Sequence, residues 1–209
     1  MTEPPPSQRL PLELPLIADR RERSDAAQNR RRILAAARAV LDAEGPTAVT
    51  MDAVATAAGV GKGTLFRRFG DRAGLMAELI SDYMREFQDR FLSGPPPLGP
   101  GAPAAERLVA FTTALIALQR EHLPIALAGE LRAADAPTGV YGALRLHAAT
   151  LIHEINPGLN ADVLSLMILG AIAPPVLNQI EADPDTIAAS LATLLSGITG
   201  RRSPLGRSR

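Results

Sequence analysis

Between Thr50 and Asp71 two eight-residue helical patterns, 51–58 and 62–69, are separated only by Gly59, Val60 and Gly61. A connector that short makes the two helices cross steeply around a sharp turn. Gly59 supplies the left-handed backbone needed at the exit, because glycine lacks the Cβ that penalises positive φ. Val60 then plugs the angle between the helices. Thr50 is placed to cap the first helix, its hydroxyl accepting an orphan amide, and Asp52 in the first turn suits the helix dipole. On the second helix Leu65 and Phe69 lie four apart and share a face. Lys62, Arg67 and Arg68 lie elsewhere on the cylinder and need water or a partner.

The flanks are helical too. A first helix is expected from about Asp25 to Glu44, with Ile33, Leu34, Ala37, Val40 and Leu41 as one apolar stripe, and Gly45-Pro46 stops it. A fourth runs from about Arg72 to Leu92 behind the cap Asp71, with Leu75, Leu79, Tyr83, Phe87 and Phe91 at steps of four. The segment Ser93–Pro103 holds five prolines and three glycines, so a domain boundary falls near residue 92. Helical patterns resume at 104–121, 124–134, 137–155, 160–173 continuing kinked past Pro174-Pro175 to 180, and 184–198. The proline-rich residues 1–24 read as a disordered arm, and the polar, basic 201–209 as a disordered tail. The fold class is all-α. A three-helix helix-turn-helix domain with connecting helix 4 occupies 25–92, and a second helical domain occupies 93–200.

Composition removes several classes of chemistry. Cysteine is absent, which excludes a disulfide framework, thiolate catalysis and cysteine-ligated metals. Three histidines make no metal cluster: His147 and His153 are six apart and do not share a helix face, and His153-Glu154 lacks a zincin's second histidine. No nucleophile–base spacing stands out, so neither an enzyme nor a cofactor is expected. Gly59-Val-Gly-Lys-Gly-Thr64 fails as a Walker A loop, since Thr56 stands at the first glycine position and Gly63 follows Lys62. The longest apolar stretch, Leu166 to Leu177, is twelve residues, against about 20 for a membrane span. A soluble, cytoplasmic protein is expected.

Overall charge is zero, but it is unevenly placed. Residues 20–72 hold eleven Arg and Lys against six Asp and Glu, whereas 93–209 hold eight Arg against nine acids. The positive excess coincides with the helix-turn-helix pattern, as phosphate binding requires. In that geometry the second helix lies in the major groove and the first crosses the backbone. Gly61 and Gly63 let backbone approach closely, Lys62 and Thr64 can reach base edges, and Phe66, Arg67, Arg68 and the amide of Thr50 can contact phosphate or sugar. Arg20, Arg21 and Arg23 can lie along a DNA backbone or minor groove.

The run Thr50-Met-Asp-Ala-Val-Ala-Thr-Ala-Ala-Gly-Val-Gly-Lys-Gly-Thr-Leu-Phe-Arg-Arg-Phe-Gly-Asp-Arg72 closely resembles the DNA-binding signature of TetR-family transcriptional regulators. Arg32-Ile-Leu-Ala-Ala-Ala37 fits the first-helix core of that pattern, and the likeness covers about residues 28–80. Phe66 replaces the usual tyrosine, Arg67 and Arg68 add charge, and Arg72 replaces the more frequent lysine while keeping a cation. The resemblance implies about nine helices and a homodimer closed by the last two. It also implies a C-terminal domain that binds a small-molecule effector and releases a palindromic DNA operator, with Thr50, Lys62, Gly63, Thr64, Phe66, Arg67, Arg68 and Arg72 on the DNA. Candidate effector contacts are His122, Glu130, His147 and Thr150. The stretch Val163–Val176, apolar nearly all round, is expected to supply the dimer interface together with Ile187, Leu194 and Ile198, packing within the subunit's own core being the alternative. The candidate interface contacts are Leu166, Leu169, Ile172, Leu191 and Leu195. The expected function is a transcriptional repressor. The alternative is a helical small-molecule-binding or architectural protein without specific operator binding.

Overall fold

The computed structural model describes residues 16–127 and 140–198, and among these it contains helices and no strand. The helices are α1 (Leu16–Glu44), α2 (Met51–Ala58), α3 (Lys62–Phe69), α4 (Arg72–Ser93) and α5 (Ala104–Glu121). A stretch α6 is described over 123–127. After it come α7 (Val140–Ile155), α8 (Ala161–Ala171), α9 (Pro174–Leu177) and α10 (Pro184–Ile198). None of them is long and apolar enough to cross a membrane.

Two expectations change. Helix α1 starts at Leu16, not Asp25, so the arm expected over 1–24 is helical from residue 16. Pro15 is the last proline before a run rich in Ala and Arg, both good helix formers. The kinked helix expected over 160–180 is two helices: Asn160 caps α8, which ends at Ala171, and Pro174 opens α9 at its first position. Proline lacks the N–H that would continue the ladder, and its ring crowds the carbonyl four residues back. The remainders of the patterns at 124–134 and 137–155, residues 1–15 and the tail 201–209 lie outside the described residues.

Two apolar cores share α4. The N-terminal core packs Ile33, Leu34, Ala37 and Val40 of α1 against Val54 and Ala58 of α2, Leu65 and Phe69 of α3, and Leu75, Met76 and Leu79 of α4. The C-terminal core collects Met84, Phe87 and Phe91 from the far half of α4 with Leu108, Phe111 and Leu115 of α5, Leu144, Leu151 and Ile152 of α7, and Leu191 and Leu195 of α10. Phe87, Phe91 and Phe111 form a ring cluster with centroids 5.3–5.5 Å apart, a spacing at which edge-to-face attraction adds to burial. Ile125 of α6 is buried in the N-terminal core, although it follows the proline- and glycine-rich break in sequence. Arg120 ties α5 to the α9–α10 connection by donating to the carbonyls of Leu177, Ile180 and Ala182.

Ion pairs fix α1 on α4. Arg30 binds Glu78 and reaches Asp82 at 3.7 Å; Arg38 binds Asp82 at 3.0 Å and Glu86 at 2.7 Å. The Arg38 guanidinium also lies 4.2 Å from the Tyr83 ring centroid, and His122 stacks on the same ring at 3.8 Å. Two groups that close to one centroid fit only on opposite faces. The resulting stack joins α1, α4 and the turn after α5.

His147 is buried within the C-terminal core, its ring stacked 4.3 Å from that of Phe91. Burial, and secondarily the charge of Arg107, pull its imidazole from the ordinary 6.5 down to about 4. Burial also lowers His122. For a base with a depressed folded pKa the unfolded chain binds the extra proton. The neutral form therefore contributes stability in full above 6.5, and that stability is lost as pH falls toward 4. The loss attached to His147 is at most roughly 3 kcal/mol. In urea unfolding from pH 7 to 4, His147→Phe is expected to flatten the fall in stability relative to wild type, leaving a smaller slope carried by His122. Parallel curves for the two proteins would contradict the assignment.

Candidate nucleic-acid interface

The turn between α2 and α3 is built as its sequence requires. Gly59 adopts φ 62°, ψ 39°, its amide donates to the Thr56 carbonyl at 3.1 Å, and the Val60 amide donates to Ala55 at 3.0 Å. This Schellman closure satisfies two carbonyls at the end of α2 and sends the chain sharply into α3. Leu65 and Phe69 are buried against the first core, so α3 cannot roll. Gly61, Lys62, Gly63, Phe66, Arg67 and Arg68 are exposed and Thr64 is half-buried. Gly61 gives the N-terminus of α3 no side-chain cap, which leaves that end able to meet an anion.

An open cleft of about 1220 Å³ separates α3 from the outer face of α1. Arg31 and Arg32 line it on one side; Thr64, Arg67 and Arg68 line it on the other. Gln28 and Asn29 add polar contacts along its wall, and Asn29 accepts from Arg32 at 3.1 Å. Of the residues on α1, only Arg20, Arg21 and Arg23 were expected on DNA, and their side chains lie outside the described ones. The signal for Arg31 and Arg32 was present in Arg30-Arg31-Arg32, because a turn of about 100° per residue sends adjacent arginines in different directions. Arg30 turns inward to Glu78 and Asp82, while Arg31 and Arg32 are exposed. The positive excess of residues 20–72 is thus partly neutralised by α4 at Arg30 and Arg38, while Arg31, Arg32, Arg67 and Arg68 line the cleft together with the acid Asp25.

Two of the expected DNA contacts already have partners within the chain. The Thr50 amide is not available to phosphate: it donates to the Ala48 carbonyl at 2.7 Å, while its hydroxyl caps α2 by accepting from Ala53 at 3.1 Å. Arg72 is not a free cation at the start of α4. Its Nε donates to the Val49 carbonyl at 2.8 Å and a terminal nitrogen donates to Pro46 at 2.7 Å. The tight loop before α2 turns these carbonyls toward α4, and the planar guanidinium matches the pair. Lys62 is exposed and paired at 2.6 Å with the equally exposed Asp52. Such a surface pair is worth under about 1 kcal/mol and is readily exchanged for another anion.

The candidate effector contacts do not converge. His122 sits at the junction of the two cores against Tyr83, beside a cavity of about 220 Å³ that also meets Leu41, Asp42 and Ile125. His147 lies among Phe91 and Phe111. Thr150 is exposed and its hydroxyl donates back to the Leu146 carbonyl. It faces outward, away from the core that its neighbours Ala148 and Leu151 enter. Glu130 lies outside the described residues. A groove of about 670 Å³ along α5 and α10 is lined by Val109, Ala110, Ala114 and Ala117, and by none of the described candidates.

The candidate dimer contacts divide into two sets. Ile172, Leu191 and Leu195 are buried in the protomer's own core, and Leu169 packs against it. They belong to the core, because α10 presents its 187–188–191–195 face to α5 and the C-terminal core, which Ile172 also enters. Leu166 is exposed, with Val163 and Met167 beside it on α8 and Leu194 on α10. A helix apolar on every side gives periodicity no means of separating its inner face from its outer one.

Comparison with known proteins completes the picture. Residues 33–79 match the family described as bacterial regulatory proteins, tetR family. An HTH-type transcriptional regulator, SAB2452, of Staphylococcus aureus (strain bovine RF122 / ET3-1) is 36% identical over 69 residues, which is 33% of this chain and 37% of that protein. The chain therefore matches little more than a third of that relative's length. A TetR-family transcriptional regulator from Pectobacterium atrosepticum has the same fold, with TM-score 0.69 and 21% identity over 84% of this chain and 96% of that one. The regulator FadR from Bacillus subtilis, solved in complex with stearoyl-CoA, aligns with TM-score 0.56 and 20% identity over 82% of this chain and 98% of its own. The match over 33–79 covers the whole turn, both helices around it and the half of α1 that packs on them, and so the N-terminal domain of this chain belongs to the TetR family of bacterial regulatory proteins.

Proposed function

We propose that this regulator is a repressor that binds a palindromic DNA operator as a homodimer and releases it when a small molecule occupies the C-terminal half. The observation that carries the reading is the cleft between α1 and α3. Four outward arginines, Arg31, Arg32, Arg67 and Arg68, flank a short helix that is anchored from behind by Leu65 and Phe69. Arginines so placed grip the phosphates of one half-site, and the α3 face at Lys62, Gly63, Thr64 and Phe66 meets the major groove. Two such helices about one helical turn apart, roughly 34 Å, read the two half-sites.

Release requires a link between effector and DNA. Helix α4 belongs to both cores, and the Arg38–Tyr83–His122 stack adds a second tie at the same junction. An effector that repacks the C-terminal core therefore acts on α4 and, through it, on the separation of the two α3 helices. The FadR relative, a regulator in complex with an acyl-CoA, supports a small-molecule effector here. The exposed apolar residues Val163, Leu166, Met167 and Leu194 supply the dimer face, since burying them against a second copy removes apolar area from water.

Selection of duplexes from a random pool tests the reading directly. A palindromic consensus supports it, and uniform recovery of all sequences would favour an architectural role. With the selected duplex, Arg31→Ala is expected to weaken binding and reduce the slope of log K against log salt by about one unit. Arg72→Ala is expected to leave that slope unchanged and lower the unfolding free energy by about 1–2 kcal/mol, because it orphans two loop carbonyls. A reversed pattern would return Arg72 to the phosphate backbone.

Gly63 separates stability from binding. It lies inside α3, has ordinary backbone, and a Cβ there meets nothing within 4 Å. Gly63→Ala should therefore raise stability by about 0.5–1 kcal/mol. DNA affinity should fall at least tenfold, since the methyl group stands where the duplex approaches. Unchanged affinity would move the interface off this end of α3.

Leu194 and Leu195 separate interface from core, being 72% and 1% exposed. Leu194→Asp is expected to give a folded monomer in sedimentation, and Leu195→Asp an unfolded or aggregated chain. A Leu194→Asp dimer would place the interface elsewhere.

A further inference from the structure

Two buried polar groups on the packed helices α5 and α7, His147 Nε2 and Arg107 Nε, have no hydrogen-bond partner. His147 on α7 is 9% exposed. One face of its ring lies against Phe91 and its edge is tilted toward Phe111, with centroids 4.3 and 5.0 Å away. Its Nε2 is fully buried and has no hydrogen-bond partner. Arg107 on α5 precedes Phe111 by one helical turn, and its charge is felt at His147. The Arg107 Nε is likewise buried without a partner, and no acidic side chain pairs with it among the described residues. Each such orphan costs about 1–3 kcal/mol, and cores avoid them. A phenylalanine at 147 and a methionine at 107 would fill the same space without that cost. A stability argument alone therefore predicts neither residue.

The two groups share a chemistry. Arg107 is a permanent cation whose Nε–H can only donate. The buried imidazole is neutral, and as one tautomer it donates from Nε2. Two donors on adjacent helices, one charged, complement the paired oxygens of a carboxylate, and hydrogen bonds to an ionised acceptor are about twice as strong as neutral ones. Phe91 and Phe111 lie against the His147 ring and Phe87 packs on both, an environment suited to an apolar body. Arg107 is only half-buried, so part of its side chain meets solvent while its Nε does not. Few polar groups in a mainly apolar lining is the usual make-up of a small-molecule site.

We infer that the effector is an organic acid: its carboxylate is held by Arg107 and His147 between α5 and α7, and its apolar body lies against the phenylalanine cluster. This rests on the effector-responsive reading above and adds the ligand class and the two residues that select it. Binding converts two unsatisfied donors into charge-assisted hydrogen bonds and requires Phe91 and Phe111 to shift. Phe91 is on α4, so occupancy is felt by the helix that carries the DNA-binding domain.

The test compares decanoate and phenylacetate with their uncharged amides, decanamide and phenylacetamide, at pH 7.5 and constant sodium concentration. Thermal unfolding of the full chain is read without DNA, and release of the selected duplex is read separately. At least one carboxylate is expected to raise the Tm while its amide does not. Arg107→Met and His147→Phe should each weaken that effect at least tenfold while keeping or raising the Tm of the ligand-free protein. The inference is overturned if acid and amide act alike, if the response survives in both variants, or if no carboxylate shifts the wild type. Failure of the repressor reading is separate, since it would appear as absent sequence preference in the duplex selection whatever the thermal shifts.

Discussion

Leu79 and Met84 are barely more than one turn apart on α4, yet they belong to different cores. That sharing of one helix is the constraint on which the rest of the molecule depends. The near half of α4 closes the pocket that anchors α3, and the far half supplies the phenylalanines around which α5 and α7 pack. A shared helix of this kind cannot be displaced at one end without cost at the other, because packed cores resist small shifts and yield in discrete rearrangements. The arginine pairs from α1 to Glu78, Asp82 and Glu86 fix its azimuth as well as its position.

The exposed positive charge of the first domain arises by subtraction. Three successive arginines begin the buried half of α1, and helical geometry gives each a different environment. Arg30 meets carboxylates on α4, whereas Arg31 and Arg32 meet only water and a neighbouring asparagine. The same division separates Arg72 from Arg67 and Arg68. Arg72 holds the loop that sets up Thr50 as the cap of α2. Arginines 67 and 68 have no such duty and remain exposed. A cation near a binding surface thus acts either on the ligand or on the backbone that shapes the surface, and the nearest carbonyls decide which.

Much of this was legible in the sequence. Helices α2, α3 and α5 have the bounds read from caps, glycines and apolar period, because Thr50, Gly59 and Asp71 act through local hydrogen bonds that sequence reveals. The role of Arg72 was not legible, since it depends on where two carbonyls 23 and 26 residues away point. The inner and outer faces of α10 were not legible either. Leu194 and Leu195 are chemically identical, and their difference is a rotation of about 100° that only packing on α5 determines. His147 was visible as a polar residue in an apolar helix, but its orphaned nitrogen is a property of the assembled core.

The proline- and glycine-rich stretch at 93–103 looks like the seam at which the chain divides into two modules. Ile125 says otherwise, for this side chain from beyond the seam completes the N-terminal core. A fragment ending at Ser93 would carry a socket with its plug removed, forfeiting the roughly 1.5–3 kcal/mol that burying an isoleucine contributes. Recombination that exchanged the two halves at the prolines would thus join a head to a body lacking the matching peg. The unit of inheritance for this fold extends past the visible hinge, to the first turn of the sixth helix.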